Sequence, residues 1–444
     1  MAARSSDSRG DGDAVELPEG KSTFAQATFN VVNLIVGLGF LSLPYCFRQS
    51  GWILAISSFF VIHSVFLRTA RFVARSLEYN TQHFTPISFS DLGGLAYGPI
   101  GSATAAFLVI LELWGADCAV LMVGALNLRI LLADYGWSLA AFACGFARPD
   151  APGSIWDPAE TSWWPESGNP WSAVLCWGVF ASCVSGHAVH PNIYLSTKDR
   201  SKVFPRVLDS SFYLIASIYM VVSAFGYLEF GNAVADVITD NLSSLPSPPL
   251  VLWLNKTVVV LLFALLIDAI ALPIETSVRH RVLVWNAAFK ANSSDENQGT
   301  SDENETSTVP VADDPSETTP LLSAELGAST PATASSRLAL LLVRPVIRTL
   351  ISLSCLLSAL LLPGLSTALS LMGSALSVTL SVIFPSAVFL RLFRYGGPWD
   401  GSHHPSEPKV PAQSWEVVAA WTCVGVGLVV AIVGTLGTLV SIAS

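Results

Sequence analysis

Charged residues are scarce in this chain. Asp, Glu, Lys and Arg make up 13% of its 444 residues, against ~25% in a soluble domain. So few charges cannot cover a soluble surface, and lipid is read as the main solvent. A basic patch is lacking too, which excludes a nucleic-acid partner. The seven cysteines show no CxxC and no regular spacing. Most sit inside apolar runs and read as small buried hydrophobes, which argues against a disulfide framework or a zinc site. There is no GxSxG, HExxH, P-loop or glycine-rich dinucleotide fingerprint. No catalytic residue is therefore nominated, and no metal or organic cofactor is expected. The first 21 residues lack the apolar core of a signal peptide. The first apolar run is then expected to act as the targeting signal and to stay in the protein.

What is present is apolar: 52% of the residues are hydrophobic and the mean hydropathy is +0.54. A spanning helix needs ~20 predominantly apolar residues. Nine such runs occur, at about 24–47, 52–76, 100–133, 170–190, 207–230, 249–273, 345–362, 364–393 and 415–441. A further stretch, 137–147, is too short to span. The fold class is thus an all-α polytopic membrane protein. The net charge of −10 belongs to two polar segments: residues 1–21 contribute −2 and residues 291–336 contribute −9. The apolar body is near neutral.

Lys and Arg set the orientation. With a cytosolic N-terminus and nine alternating spans, 19 of the 23 Lys and Arg fall on the cytosolic side and four opposite. The C-terminus then faces the lumen. The chain divides into an N-terminal tail (1–21), a first membrane part (22–290), an acidic loop (291–336) and a second membrane part (337–444). The tail and the loop are expected to be disordered and cytosolic, because they cannot bury enough apolar area to offset chain entropy. The sequons at Asn292 and Asn304 would then go unused, and Asn241 on the luminal side is a weaker candidate. Within the loop, Glu317-Thr-Thr-Pro-Leu321-Leu322 has the form of an acidic dileucine sorting signal read by an adaptor, though so short a pattern also arises by chance.

Helix breakers inside spans carry the functional signal. In the first run, Gly37 and Gly39 lie near mid-span with Pro44 close behind. Glycine costs a helix interior ~1 kcal/mol relative to alanine, and proline removes a backbone hydrogen bond. In lipid the freed groups must be satisfied by protein, water or a ligand. The run is therefore a candidate unwound segment offering amides and carbonyls to a zwitterion; close helix packing by small residues is the other reading. Ser185-Gly186-His187-Ala188-Val189-His190-Pro191-Asn192 interrupts the fourth run in the same way. Two interrupted spans at corresponding places point to a transporter site at a repeat interface. Glu112, Asp117, His63 and Asp268 are ionisable residues inside runs, with His187 near a span end. Such residues face a bundle interior or a cavity. Each is a proton carrier or a structural hydrogen-bonding group; Glu112, Asp268 and His187 are the coupling candidates.

These residues resemble a known family. Thr23-Phe24-x-Gln26-x-x-x-Asn30, then Gly37-x-Gly39-x-Leu41-x-Leu43-Pro44-Tyr45 and Gly51-Trp52, resemble the opening of the amino acid/auxin permease family. Ser185 to Tyr194 resembles the Gly-His segment of fungal vacuolar amino acid transporters. Val237 to Leu242 resembles a luminal segment of those proteins and of vesicular inhibitory amino acid transporters. Gly373-Ser374 and Ile383-x-Pro385 fit the penultimate helix. The resemblance implies a LeuT-type fold of two inverted five-helix repeats plus one helix. It implies transport of neutral amino acids through a vacuolar or vesicular membrane, by proton antiport, with the proton as coupling ion and no other cofactor. It places substrate at Val36, Gly37, Leu38 and Gly39 in the first break and at Ser185 and Gly186 in the second. One departure is large. The family has eleven spans, and the two missing here are its fourth and fifth, between residues 133 and 170. That deficit keeps alternatives open: a non-transporting amino acid sensor, or the product of a truncated gene model.

Overall fold

In a computed structural model the described residues are 20–83, 88–132, 152–165 except 155, 170–243, 350–395 except 351, 352, 359 and 363, and 411–443. The chain divides into one unit of residues 1–268 and 355–444 and a second of 269–354. The features below belong to the first. The run at 249–273, residues 345–349 of the run at 345–362, the 137–147 stretch, Asp268 and the Glu317–Leu322 motif lie outside the described residues.

No strand occurs among the described residues. Helix α1 (Phe24–Ile35) leads through a 3₁₀ turn (Leu38–Ser42) into α2 (Leu43–His83). Then follow α3 (Phe89–Leu132), α4 (Pro170–Cys183), a 3₁₀ turn (His187–Val189), α5 (His190–Ser196), α6 (Arg200–Phe230) and the short α7 (Ile238–Ser243). The last two are α8 (Leu365–Phe393) and α9 (Ser414–Ala443). Six helical stretches among the described residues are long and apolar enough to cross a membrane. The first predicted run is not one of them as a unit. Its first half is α1 alone, 12 residues long, and its second half joins α2.

Local chemistry explains the boundaries. α1 starts with a capping box: Gln26 donates its backbone N–H to the Thr23 hydroxyl, and Thr23 donates its own N–H to the Gln26 side chain. α2 turns sharply at Gly51, whose φ of 67° suits glycine. There the loop at 156–165 docks: Trp52 donates to the Ser162 carbonyl at 3.1 Å and Ile53 to that of Trp163 at 3.3 Å. α3 is bent at Gly98-Pro99. Pro191 and Pro385 do not break helices. Pro191 occupies the first turn of α5, where the missing N–H has no intrahelical partner to lose, and Pro385 lies inside α8 directly after a π-helical stretch, Thr379–Ile383.

The two ends of the bundle differ. At one end the chain near Ser22 pairs with the end of α5, through Ser22 N to Ser196 O (2.8 Å) and Lys198 N to Ser22 O (2.9 Å). The same end carries the ion pairs Arg71–Asp209 (2.6 Å) and Arg75–Glu416, which fasten α2 to α6 and α9. At the other end Ala159 donates to Leu228 O at 2.9 Å and Asn232 to Glu160 O at 3.1 Å, and Arg48 donates to Val234 O at 2.6 Å. Of the cations named, Arg71, Arg75 and Lys198 lie at the first end and Arg48 at the second. At this second end Asn241 spends its side chain on the loop, donating to Ala233 O and accepting from Ala235 N, which leaves it poorly placed as a glycan acceptor.

α8 is the central helix. In its most apolar stretch 72% of residues are buried, against 28% in α9. Small residues let it approach its neighbours: a Cβ on Gly373 would sit 1.7 Å from the Gly178 carbonyl of α4. Ser370 and Ser374 bridge to Thr438 and Thr435 of α9 at 2.7 and 3.0 Å.

Candidate functional site

The two predicted breaks meet. α1 ends at Ile35; Gly37 then donates its N–H to the Ile35 carbonyl at 2.8 Å, too tight a turn for a continuing helix. α4 ends at Cys183, and residues 184–186 are non-helical before the His187 turn begins. The opening thus lies at the start of the predicted 185–191 segment; His190 and Pro191 already belong to α5. The carbonyls that each helix leaves behind are served by one side chain. The Tyr219 hydroxyl of α6 lies 2.9 Å from Ile35 O and 2.8 Å from Cys183 O, so a single proton is shared between both breaks. Tyr219 is buried, and this is how lipid-embedded chain ends keep their polar groups satisfied.

The breaks also touch through their glycines. A Cβ on Gly39 would lie 2.7 Å from the Cys183 sulfur, and one on Gly186 would lie 3.1 Å from Ile35. Val36, Gly37, Gly39, Ser185 and Gly186 therefore belong to one junction, together with the backbone of Leu38.

Side-chain chemistry collects on the second break. Ser185 donates to the carboxylate of Glu112 on α3. The Ser185 and Ser381 hydroxyls lie 2.9 Å apart, and Ser377 faces the same carboxylate. Three elements, α3, the α4–α5 break and α8, thus converge on one acid. The α8 contribution comes from two π-helical stretches, Gly373–Ser377 and Thr379–Ile383, a distortion common at functional sites.

His187, two residues on, is turned elsewhere. Its Nε2 lies 3.0 Å from the Thr69 hydroxyl and 3.1 Å from Phe66 O, both on α2. Thr69 itself donates to Phe66 O at 3.0 Å, so the geometry assigns the proton to Nε2. The His190 ring packs against it, tilted by 37° with centroids 4.9 Å apart. His63 packs between Phe59 and Phe212, 5.6 and 5.3 Å away, as a core residue among aromatics. Asp117 is not among the hydrogen-bond partners of the Glu112 carboxylate.

Tyr219, Ser377 and Ser381 are the site residues that sequence reasoning missed. A signal was present for the serines: Ser366, Ser370, Ser374, Ser377 and Ser381 recur every three or four residues in α8, the spacing of one helical face. For Tyr219, one tyrosine among the many aromatics of the chain, there was none.

The sequence model described as transmembrane amino acid transporter protein matches residues 20–142 and 136–440. The chain belongs to this family. It is a family of transporters and not of enzymes. Among curated relatives, amino acid transporter AVT1H of Arabidopsis thaliana is 25% identical over 424 residues, covering 87% of this chain and 84% of that protein. AVT1C of the same plant is 24% identical over 421 residues (85% and 65%), and AVT1D is 29% identical over 268 residues (51% and 48%). The chain thus spans about half to two thirds of the length of AVT1D and AVT1C. The two matched segments overlap at residues 136–142.

Proposed function

We propose that this chain carries neutral amino acids across a vacuolar membrane in exchange for protons, on a LeuT-type scaffold whose two broken helices are α1 and α4–α5. The observation that carries this reading is the junction of the two breaks through Gly39, Gly186 and the shared Tyr219 hydroxyl. Backbone groups at Val36, Gly37, Leu38 and Gly39 meet the zwitterion on one side and Ser185 and Gly186 on the other. Glu112 is the proton carrier beside them. A carboxylate that accepts either a proton or the substrate ammonium exchanges one for the other, which is the logic of antiport. His187 braces the break against α2, and Asp268 is kept as a second coupling candidate. The end that holds Arg71, Arg75 and Ser22 faces the cytosol, the opposite end faces the lumen, and lipid covers the outer faces. Leu321 and Leu322, with Glu317, address the protein through an adaptor.

The test is uptake of radiolabelled neutral amino acids into sealed vacuolar vesicles, with and without a proton ionophore. Uptake that collapses with ionophore supports the reading; insensitive uptake removes the coupling. A second reading, a non-transporting amino acid sensor, is favoured by one observation. Fewer than 30 residues separate α3 from the docked Ser162-Trp163, and two crossings need ~40 residues. Thermal stabilisation by an amino acid with no flux in vesicles would select the sensor. Sequencing the transcript across codons 130–150 tests the gene model directly.

A further inference from the structure

We propose that Ser381 of α8 is a positioning residue for proton coupling: it holds Ser185 onto Glu112, so that the charge on Glu112 is read by the second helix break. The inference rests on the proton-coupled reading above and adds the third element that makes it work.

The serines of α8 and their neighbours divide into two kinds. Ser374 and Ser386 donate back to the carbonyls of Ser370 and Val382, four residues earlier, at 2.7 Å. Such bonds satisfy a buried hydroxyl within its own helix. Ser381 is equally buried, yet its hydroxyl lies 2.9 Å from the Ser185 hydroxyl across the interface. Ser185 in turn donates to Glu112. A hydroxyl has one proton to give. Since Ser185 gives its proton to the carboxylate, Ser381 must give its own to Ser185. The chain of donors runs Ser381 to Ser185 to Glu112 and ends on the negative charge.

Protonation reverses this chain. When Glu112 takes up one proton it becomes a carboxylic acid and a donor. Its O–H turns to the Ser185 oxygen, the Ser185 proton turns to the Ser381 oxygen, and the Ser381 proton turns to the carbonyl four residues back, as in Ser374 and Ser386. One proton enters, no bond to carbon changes, and three hydroxyl directions flip. Ser185 lies within the break, and its neighbour Gly186 packs on Ile35 of the first break, so the flip changes the polarity offered at the junction. The groups facing Glu112 from packed elements are Ser185 from the break and Ser377 from α8, with Ser381 behind Ser185; on its own helix Asp117 and Cys118 follow, and the His187 ring is engaged with α2.

The experiment uses the full chain in liposomes and reads two quantities for a neutral amino acid: counterflow exchange without a gradient, and uptake driven by an imposed proton gradient across a range of pH. Ser381→Ala is expected to lose gradient-driven uptake more than counterflow and to move the pH midpoint by about one unit, the scale of one lost hydrogen bond. Ser381→Thr, which keeps the hydroxyl, should restore the midpoint. Ser386→Ala, a buried α8 serine with a purely local bond, should behave as wild type. A Ser381→Ala protein with an unmoved midpoint overturns the inference, as does a Ser386→Ala protein that shifts equally. Wild-type counterflow without any response to the gradient would overturn the coupling reading itself, a distinct result.

Discussion

The two broken helices are built from the same kind of interruption, glycine near mid-span, yet they hold different chemistry. At the first break the chain contributes backbone. Val36 and Gly37 carry no polar side chain, and the freed Ile35 carbonyl is met by Gly37 N–H and the Tyr219 hydroxyl. At the second break the side chains take over: Ser185 reaches Glu112 and Ser381, and His187 reaches Thr69 and Phe66. The first break can offer dipoles that never change. The second offers groups whose bonding depends on a titratable acid. A site assembled from both can hold a zwitterion on one side and respond to protons on the other.

The comparison breaks most completely if the two sides are pushed apart. Gly39→Val places a branched side chain where a Cβ alone would lie 2.7 Å from the Cys183 sulfur. Overpacking of this kind costs ~1–3 kcal/mol, and uptake is expected to fall to about a tenth or less. Adding Cys183→Ala removes the clashing sulfur and should recover part of the loss. Failure of the second substitution to help would show that the injury lies elsewhere than in the contact between the breaks.

Neutralising the acid sharpens the difference instead. Glu112→Gln preserves shape and an acceptor for Ser185, but it fixes the uncharged state. Gradient-driven uptake is expected to drop about tenfold, the scale of a charge-assisted hydrogen bond, with loss of the pH dependence of uptake. A variant that still responds to the gradient would move the proton to another group.

How much of this could be read from residues alone follows the same division. The breaks were legible because Gly37, Gly39 and Gly186 are costly in a helix interior and so stand out in an apolar run. Glu112 stood out because an acid in lipid is expensive. Pro191 misled: it marks the first turn of α5 and not the break itself, because proline without an N–H suits a helix start as well as a helix end. Ser185 was found only through its glycine neighbour. Ser381 and Tyr219 depend on contacts 196 and 184 positions away in sequence, which no local pattern encodes.

Tyr219→Phe tests what the breaks have in common. It removes the one hydroxyl placed between Ile35 O and Cys183 O and changes nothing else in shape. Two buried carbonyls then compete for fewer donors, at a cost of ~1–3 kcal/mol in stability. Thermal unfolding in detergent should show a lowered midpoint, and uptake should fall a few-fold while its pH dependence is retained. Loss of pH dependence here would mean that the first break, and not only the second, senses the proton.

The smallest effect is expected at the brace of the second break. Thr69→Val is nearly isosteric and removes the hydroxyl that donates to Phe66 O and accepts from His187 Nε2–H. Both bonds of that hydroxyl are lost, but the imidazole keeps Phe66 O at 3.1 Å, so neither His187 Nε2–H nor the Phe66 carbonyl is left without a partner. The cost should be ~0.5–1.5 kcal/mol, seen as a modest fall in the unfolding midpoint. The pH profile of uptake should stay in place, because the Ser185–Glu112 contact is untouched. A shifted profile would promote His187 from a brace to a second proton carrier, and the division of labour between the breaks would then run through two titrating groups on one side.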